Sequence, residues 1–370
     1  MNYDDRKRRL KQELKRGRKI VLYVVENIES AQFRYRCKNV VGVMDKSEYA
    51  VVWFLKSEIE EVDFAGVSLV VIERQTDKNG SIVKLIDRMS MADIKVKVLF
   101  DLDDLVFDYR DLPLLMRTTN SKNVFYWAGY FWGIRRIAKR ADGFLCTNDF
   151  LGKKLKRSFG KPYQVIPNSL NKAQLEVSDE AIRKKHSEIR KEFVVGYFSG
   201  SPTHTKDFRL IEPELVEFLS RHDDAVLRIV GDIELSRKMR VLCESGRVKI
   251  MKKVDYLKLQ KLISEVDVNI APLVINDFTN CKSELKFFEA AAVETTTIAS
   301  PTYTFKKAIE DGENGFLAQP GEWYDKLEYL YSHPDENKRI AKRAREYALK
   351  HYYGKEFLKE VEVAYDYFAK

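Results

Sequence analysis

Short apolar runs of strand length recur along this chain, and stretches with helical spacing lie between them. Residues 19–25, 50–54, 67–72, 97–100, 143–147 and 163–166 read as strands. Residues 33–43, 81–89, 121–140 and 148–159 read as the intervening helices. Strands separated by helices cannot pair as hairpins. They build a parallel sheet through right-handed crossovers. A polar, charged stretch over 171–191 breaks the pattern and reads as an interdomain linker. A second alternation follows. Its predicted strands are 192–198, 225–230, 247–251, 266–271, 296–299 and 315–318; its predicted helices are 207–220, 237–244, 256–265 and 283–293, and the chain is helical from Trp323 onward. The expected fold class is therefore α/β, with two Rossmann-like domains facing each other across a cleft. Residues 1–175 form the first and 176–354 the second, with a final helix over about 355–370 packing back onto the first.

The bulk numbers suit that division. A chain of 370 residues has room for two ordinary domains, and 45% hydrophobic content supplies their cores. Cys37, Cys146, Cys243 and Cys281 are far apart and form no C-x-x-C pair. That argues against zinc and a disulfide framework, and fits a reduced cytoplasm. No apolar run approaches a membrane span, and the charged N-terminus does not read as a signal peptide. Residues 1–19 carry nine Lys/Arg against Asp4, Asp5 and Glu13, which is +6 of the net +9. With Leu10 and Leu14 as its apolar positions, this helix has little to insert in a bilayer. It reads as a solvated leading helix or as a peripheral contact with an anionic membrane, and nucleic acid is not the expected partner.

The chemistry concentrates in the second half. The predicted strand 266–273 ends in a polar loop, and Ser283 reads as the N-cap of a compact apolar helix that carries Glu289. A loop entering a helix at a strand end is where open α/β sheets bind phosphorylated ligands. A carboxylate behind it can accept from ribose hydroxyls. A second loop, Gly196 to Asp207, runs from a strand through small residues into a helix. Backbone N–H groups at Ser199 and Gly200 and the side chains of His204 and Lys206 suit an anion there. The G-x-x-x-x-G-K-[ST] spacing is absent.

Read in order, these pieces resemble the retaining nucleotide-sugar glycosyltransferases of the GT-B fold, and within them the bacterial surface-polysaccharide enzymes. The resemblance rests on residues 141–147, Val165-Ile166-Pro167-Asn168-Ser169, the 197–208 loop, Arg228-Ile229-Val230-Gly231, 266–273, 282–292, Ile298-Ala299-Ser300 and 309–317. It covers residues 140–320 well and the first 140 loosely. It implies a hexosyltransferase-type enzyme that retains anomeric configuration, needs no metal or cofactor, and uses a nucleotide sugar, expected to be a UDP-sugar, with a glycan or lipid-linked acceptor. Glu289 matches the second glutamate of the family's E-x7-E motif and Lys206 its diphosphate-binding cation; with Asp103 and Asp104 they are the candidate catalytic residues. Ser199, Gly200, His204, Lys206, Lys282, Ser283, Glu284 and Glu289 are the candidate donor-binding set. The chain departs from the motif at its first glutamate, where Cys281 stands, and Glu284, Lys282 and Asn280 are the nearby substitutes. The arginine usual before the lysine is also missing, with His204 the nearest polar residue.

On the acceptor side, Asp103 or Asp104 at a strand end can orient a sugar hydroxyl, or serve as caps. Arg34 and Arg36 follow the first strand and can meet a phosphate or acidic sugar, or form a solvated face. The aromatic run Phe125 to Trp132, ending in Arg135-Arg136, suits core, sugar stacking or a membrane interface. Rival readings are a nucleotide-sugar epimerase of the same fold, an anionic-surface binder, and a non-catalytic transferase relative.

Overall fold

The strands of this computed structural model pair in parallel throughout, as crossover connections require. The structure describes residues 1–91, 96–119, 121–188, 191–199 and 204–369. The chain divides into two units: residues 1–169 with 281–283 and 353–370, and residues 170–280 with 284–352. The leading segment of the first unit thus ends at Ser169.

The first unit holds β1 (Lys19–Val25), β2 (Tyr49–Leu55), β3 (Val67–Glu73), β4 (Lys97–Leu102), β5 (Gly143–Cys146) and β6 (Tyr163–Val165) in the order β2-β1-β3-β4-β5-β6. Helices cover both faces of such a sheet, so its strands read as continuous apolar runs. Beyond its first residue, β1 is buried throughout. One face packs Val21, Tyr23, Leu69, Val71, Leu99 and Leu145 against the C-terminal helix Gly354–Phe368. That helix supplies Phe357, Val361, Tyr365 and Phe368. Full burial of such side chains stabilises by about 1.5–3 kcal/mol each. The Tyr23 and Tyr365 hydroxyls meet at 3.0 Å, so the polar atoms in this seam are paired.

The second unit holds β7 (Phe193–Phe198), β8 (Ala225–Val230), β9 (Val248–Met251), β10 (Val268–Ala271), β11 (Thr296–Ala299) and β12 (Phe316–Leu317) in the order β12-β11-β10-β7-β8-β9. Val195, Tyr197, Leu227, Ile229, Ile270 and Ile298 face Phe208, Leu215, Phe218 and Trp323. Val194, Phe198, Val226 and Val230 belong to a separate cluster with Leu262, Val266 and Ala290.

Three expectations are corrected and one element is added. Residues 171–191 were expected as a linker, yet Lys172–Ser187 is a helix, with Asn171 capping the Gln174 amide at 2.9 Å. Its charges mask a narrow face of Gln174, Ser178, Ala181 and Ile182 at helical spacing. The expected helix 33–43 contains a π-helical turn, Arg34–Lys38, between Ala31–Phe33 and Asn39–Val43. The expected helix 207–220 is two helices, Thr205–Arg209 and Glu212–Arg221, the second with Pro213 in its first turn. Leu112–Thr119 is a helix that the sequence reading passed over.

Candidate functional site

In the first unit, the C-terminal ends of β3 and β4 gather a charged cluster. The π-turn after β1 swings Arg36 inward, where Nε and Nη2 donate to Asp101 at 2.9–3.1 Å. Its other arm donates to the Ile166 carbonyl and, at 3.3 Å, to Asn168 Oδ1. The pair is sealed, at 2% and 1% side-chain exposure. Arg36 therefore braces the end of β4 against the chain leaving β6 and is not the solvated face that was one of its two expected placements. Arg34 instead stacks its guanidinium 4.1 Å from the Tyr35 ring. One step toward solvent, Arg74 lies 2.6 Å from Asp103 and 3.6 Å from Asp104. Asp104 also meets Lys282 at 3.8 Å, both at 28% exposure. The cluster thus grades from a dry ion pair to a partly wetted one.

Glu73 and Asp101 face each other across β3 and β4. Burial pushes the Glu73 carboxyl up to about 9, with Asp101 and Asp103 adding to the rise and Arg36 and Arg74 opposing it. Burial also raises Asp101, against the pull of Arg36, and Asp103, against the pull of Arg74. Glu73 Oε1 is buried and has no hydrogen-bond partner. A carboxyl so placed carries a proton at neutral pH, which makes it a hydrogen-bond donor. The folded chain holds that proton up to about pH 9, while an unfolded chain releases it near 4.5. The Glu73 contribution to stability is therefore complete below pH 4.5 and shrinks as pH rises to 9. Glu73→Gln is expected to remove that slope. Melting temperatures from pH 5 to 9 should show the variant gaining steadily on the parent, by up to about 1.4 kcal/mol per pH unit. A constant gap would mean that Glu73 does not titrate in this window.

In the second unit, the strand order sets the ends of β11, β10, β7 and β8 side by side. β7 runs into Ser199, which is buried and whose amide donates to the Val230 carbonyl at 2.8 Å. Gly231 has φ +115°, and a Cβ there would run into the Ser199 carbonyl oxygen, so glycine is required at this crossing. Gly200, a sequence candidate, lies outside the described residues. Beyond it, His204 Nδ1 pairs with Asp207 Oδ2 at 2.8 Å, and Asp207 Oδ1 accepts from the Val274 amide at 2.8 Å. Asp207 thus ties the helix after β7 to the loop after β10. Lys206 is exposed on that helix.

The helix that carries Glu289 spans Leu285–Ala291. Its N-cap is Glu284, so Ser283 does not cap it; Ser283 Oγ is buried without a partner. Asn269 Nδ2 on β10 donates to the Lys286 carbonyl at 3.0 Å, and Gln260 Nε2 to the Glu289 carbonyl at 2.6 Å. These two amides clamp the backbone on which Glu289, 5% exposed, is held. Lys286, one turn before Glu289, places Nζ 4.9 Å from the centre of the Tyr197 ring in β7. Lys282 and Ser283 belong to the first unit, where the Cys281 carbonyl accepts from Asn148 Nδ2 at 2.8 Å. Cys281, at the departed motif position, is fully buried.

The structure brings Asp103, Asp104 and Lys282 into one cluster, and groups Ser199, His204, Lys206, Glu284 and Glu289 in the second unit. Glu73, Arg74 and Lys286 escaped the sequence reading. The signal for the first two was charge at the end of the apolar run Val67 to Ile72. Among the described residues, no group of three His, Cys, Asp or Glu side chains is arranged to hold a metal ion.

Residues 193–333 match the family model described as "Glycosyl transferases group 1". No curated protein matches the chain. Among solved structures, HepE from Anabaena in complex with UDP and glucose is similar with TM-score 0.62 and 13% identity, over 94% of this chain and 100% of that one. Sucrose-phosphate synthase from Thermosynechococcus elongatus gives TM-score 0.67 and 14% identity over 95% and 99%. A glycosyltransferase from Rickettsia africae ESF-5 gives 0.63 and 14% over 96% and 99%. The fold of this chain, a six-stranded parallel sheet in each of two α/β units, is the GT-B fold.

Proposed function

We propose that this chain is a retaining, metal-independent glycosyltransferase that moves a hexosyl group from a UDP-sugar to a hydroxyl of a glycan or lipid-linked acceptor, in bacterial surface-polysaccharide synthesis at the inner face of the membrane. The observation that carries the reading is the match of residues 193–333 to the group 1 glycosyltransferase model. The fold likeness to HepE, solved with UDP and glucose, supports UDP as the nucleotide.

In this reading the Glu289 carboxylate accepts from the donor ribose. Lys206 and Lys286 oppose the charge that builds on the diphosphate as the anomeric C–O bond breaks, while the Ser199 amide, already given to the Val230 carbonyl, takes no part. The acceptor oxygen bonds to the anomeric carbon on the same face, and its proton passes to the departing phosphate. Asp103 and Asp104, held by Arg74, orient the acceptor hydroxyl. Thermal melting against UDP, UDP-glucose, UDP-N-acetylglucosamine, ADP and GDP tests the donor claim. A ligand at about a hundred times its Kd adds about 2.7 kcal/mol to the native state. A rise with the uridine nucleotides alone is expected. If none of the five raises the melting temperature and no UDP is released on incubation with acceptor glycans, the proposal is wrong.

A further inference from the structure

The helix Val124–Arg140 presents apolar side chains to solvent where a soluble surface would place polar ones. Phe125 is 87% exposed, Tyr126 52%, Trp132 49% and Val124 42%. Phe125, Trp132, Arg136 and Lys139 recur at helical spacing and share one side of a helix about 25 Å long. The opposite side is core, built from Phe131, Ile134 and Ile137. Contiguous exposed aromatics of this kind mark an interaction surface.

Charge identifies the partner. From Leu112 to Ala141 the sequence holds Arg117, Lys122, Arg135, Arg136, Lys139 and Arg140 and not one acidic residue. Lys122 and Lys139 are exposed at either end of the helix. The Arg136 guanidinium lies 4.7 Å from the Trp132 ring, so cation and aromatic are presented together. Arg140 is paired with Asp87 and Arg135 with the Phe107 carbonyl, which leaves Lys122, Arg136 and Lys139 to flank the exposed rings; aromatics flanked by basic side chains match an anionic lipid surface on both counts.

We propose that this face of Val124–Arg140 docks the protein on an anionic bilayer. It is better equipped than the basic N-terminal helix Tyr3–Lys15. There Leu10 is buried in the unit, Arg6 is 4% exposed against Glu58, and Arg16 and Arg18 both pair with Glu13. That helix presents charge without an apolar face. The aromatic helix also adjoins the charged cluster: Arg74 Nη1 donates to Tyr130 Oη at 3.3 Å while holding Asp103. No helix among the described residues is long and apolar enough to cross a membrane, so the attachment is lateral.

The inference is independent of the transfer reaction and is read without donor. Full-length protein is floated with vesicles of phosphatidylcholine containing about one-third phosphatidylglycerol, and with phosphatidylcholine alone. Binding to the anionic vesicles, weakened by salt, is expected. Phe125→Ser/Trp132→Ser should lower the partition coefficient roughly tenfold or more with an unchanged melting temperature. Lys11→Ala/Lys15→Ala should leave it nearly unchanged. Absence of wild-type flotation, or equal flotation of the aromatic double variant, overturns the proposal. So does sedimentation showing that the double variant abolishes self-association, which would assign the face to a second copy.

Discussion

Arg36→Met is expected to cost the first unit about 3–5 kcal/mol, the largest stability effect of any single change considered. The pair it breaks is almost fully sealed, so Asp101 would be left as a buried charge without its bonded partner and with only the pull of Arg74. The Ile166 carbonyl and Asn168 Oδ1 would lose their donor as well. Urea unfolding measures the loss directly, and a fall in melting temperature of roughly 10 °C should accompany it. Pairing Arg36→Met with Asp101→Leu should recover most of the loss, because an apolar pair of similar volume removes the desolvation cost along with the attraction. A single variant within about 1 kcal/mol of the parent would show that Asp101 takes up a proton instead and that the ion pair contributes little.

Glu289→Gln is expected to lower kcat/KM by about 100-fold while leaving the melting temperature without ligand close to the parent's. The change keeps shape and, on the proposed role of Glu289, removes the charge that would strengthen its hydrogen bonds to the donor ribose, each worth about 1.5–3 kcal/mol. The residue sits on a helix whose carbonyls are clamped by Asn269 and Gln260, so substitution should not move the backbone. The melting shift with UDP should shrink in parallel. Unchanged transfer by the glutamine variant would remove Glu289 from the site. Loss of transfer with an intact UDP shift would place it at the sugar and not at the ribose.

The strands and their order of use were legible because a doubly covered parallel sheet writes itself as apolar runs, as in Val21 to Val25 and Ala225 to Val230. The helix Lys172–Ser187 was not. Its buried side uses Gln174 and Ser178, residues whose polarity hides the periodicity. The start of the Leu285–Ala291 helix was misread for a related reason: Ser283 is a good cap by type, but Glu284 takes the position. At the site, a resemblance could nominate Glu289 and Lys206 from their places in a motif, and a strand end could nominate Asp103 or Asp104. It could not show that Arg36 turns inward. A π-helical turn depends on how its surroundings pack, and Arg34 to Lys38 carries no local mark of one.

The seam between β1 and the helix Gly354–Phe368 bears on how the molecule is made. Tyr365 and Phe357 close the hydrophobic face of a unit whose strands leave the ribosome first. Until the last stretch emerges, that face stays open in the nascent polypeptide, while residues 170–280 and 284–352 already hold all they need. The sheet of residues 1–169 therefore lacks part of its apolar cover until residues 354–368 have been made, an interval that spans the synthesis of the whole second unit.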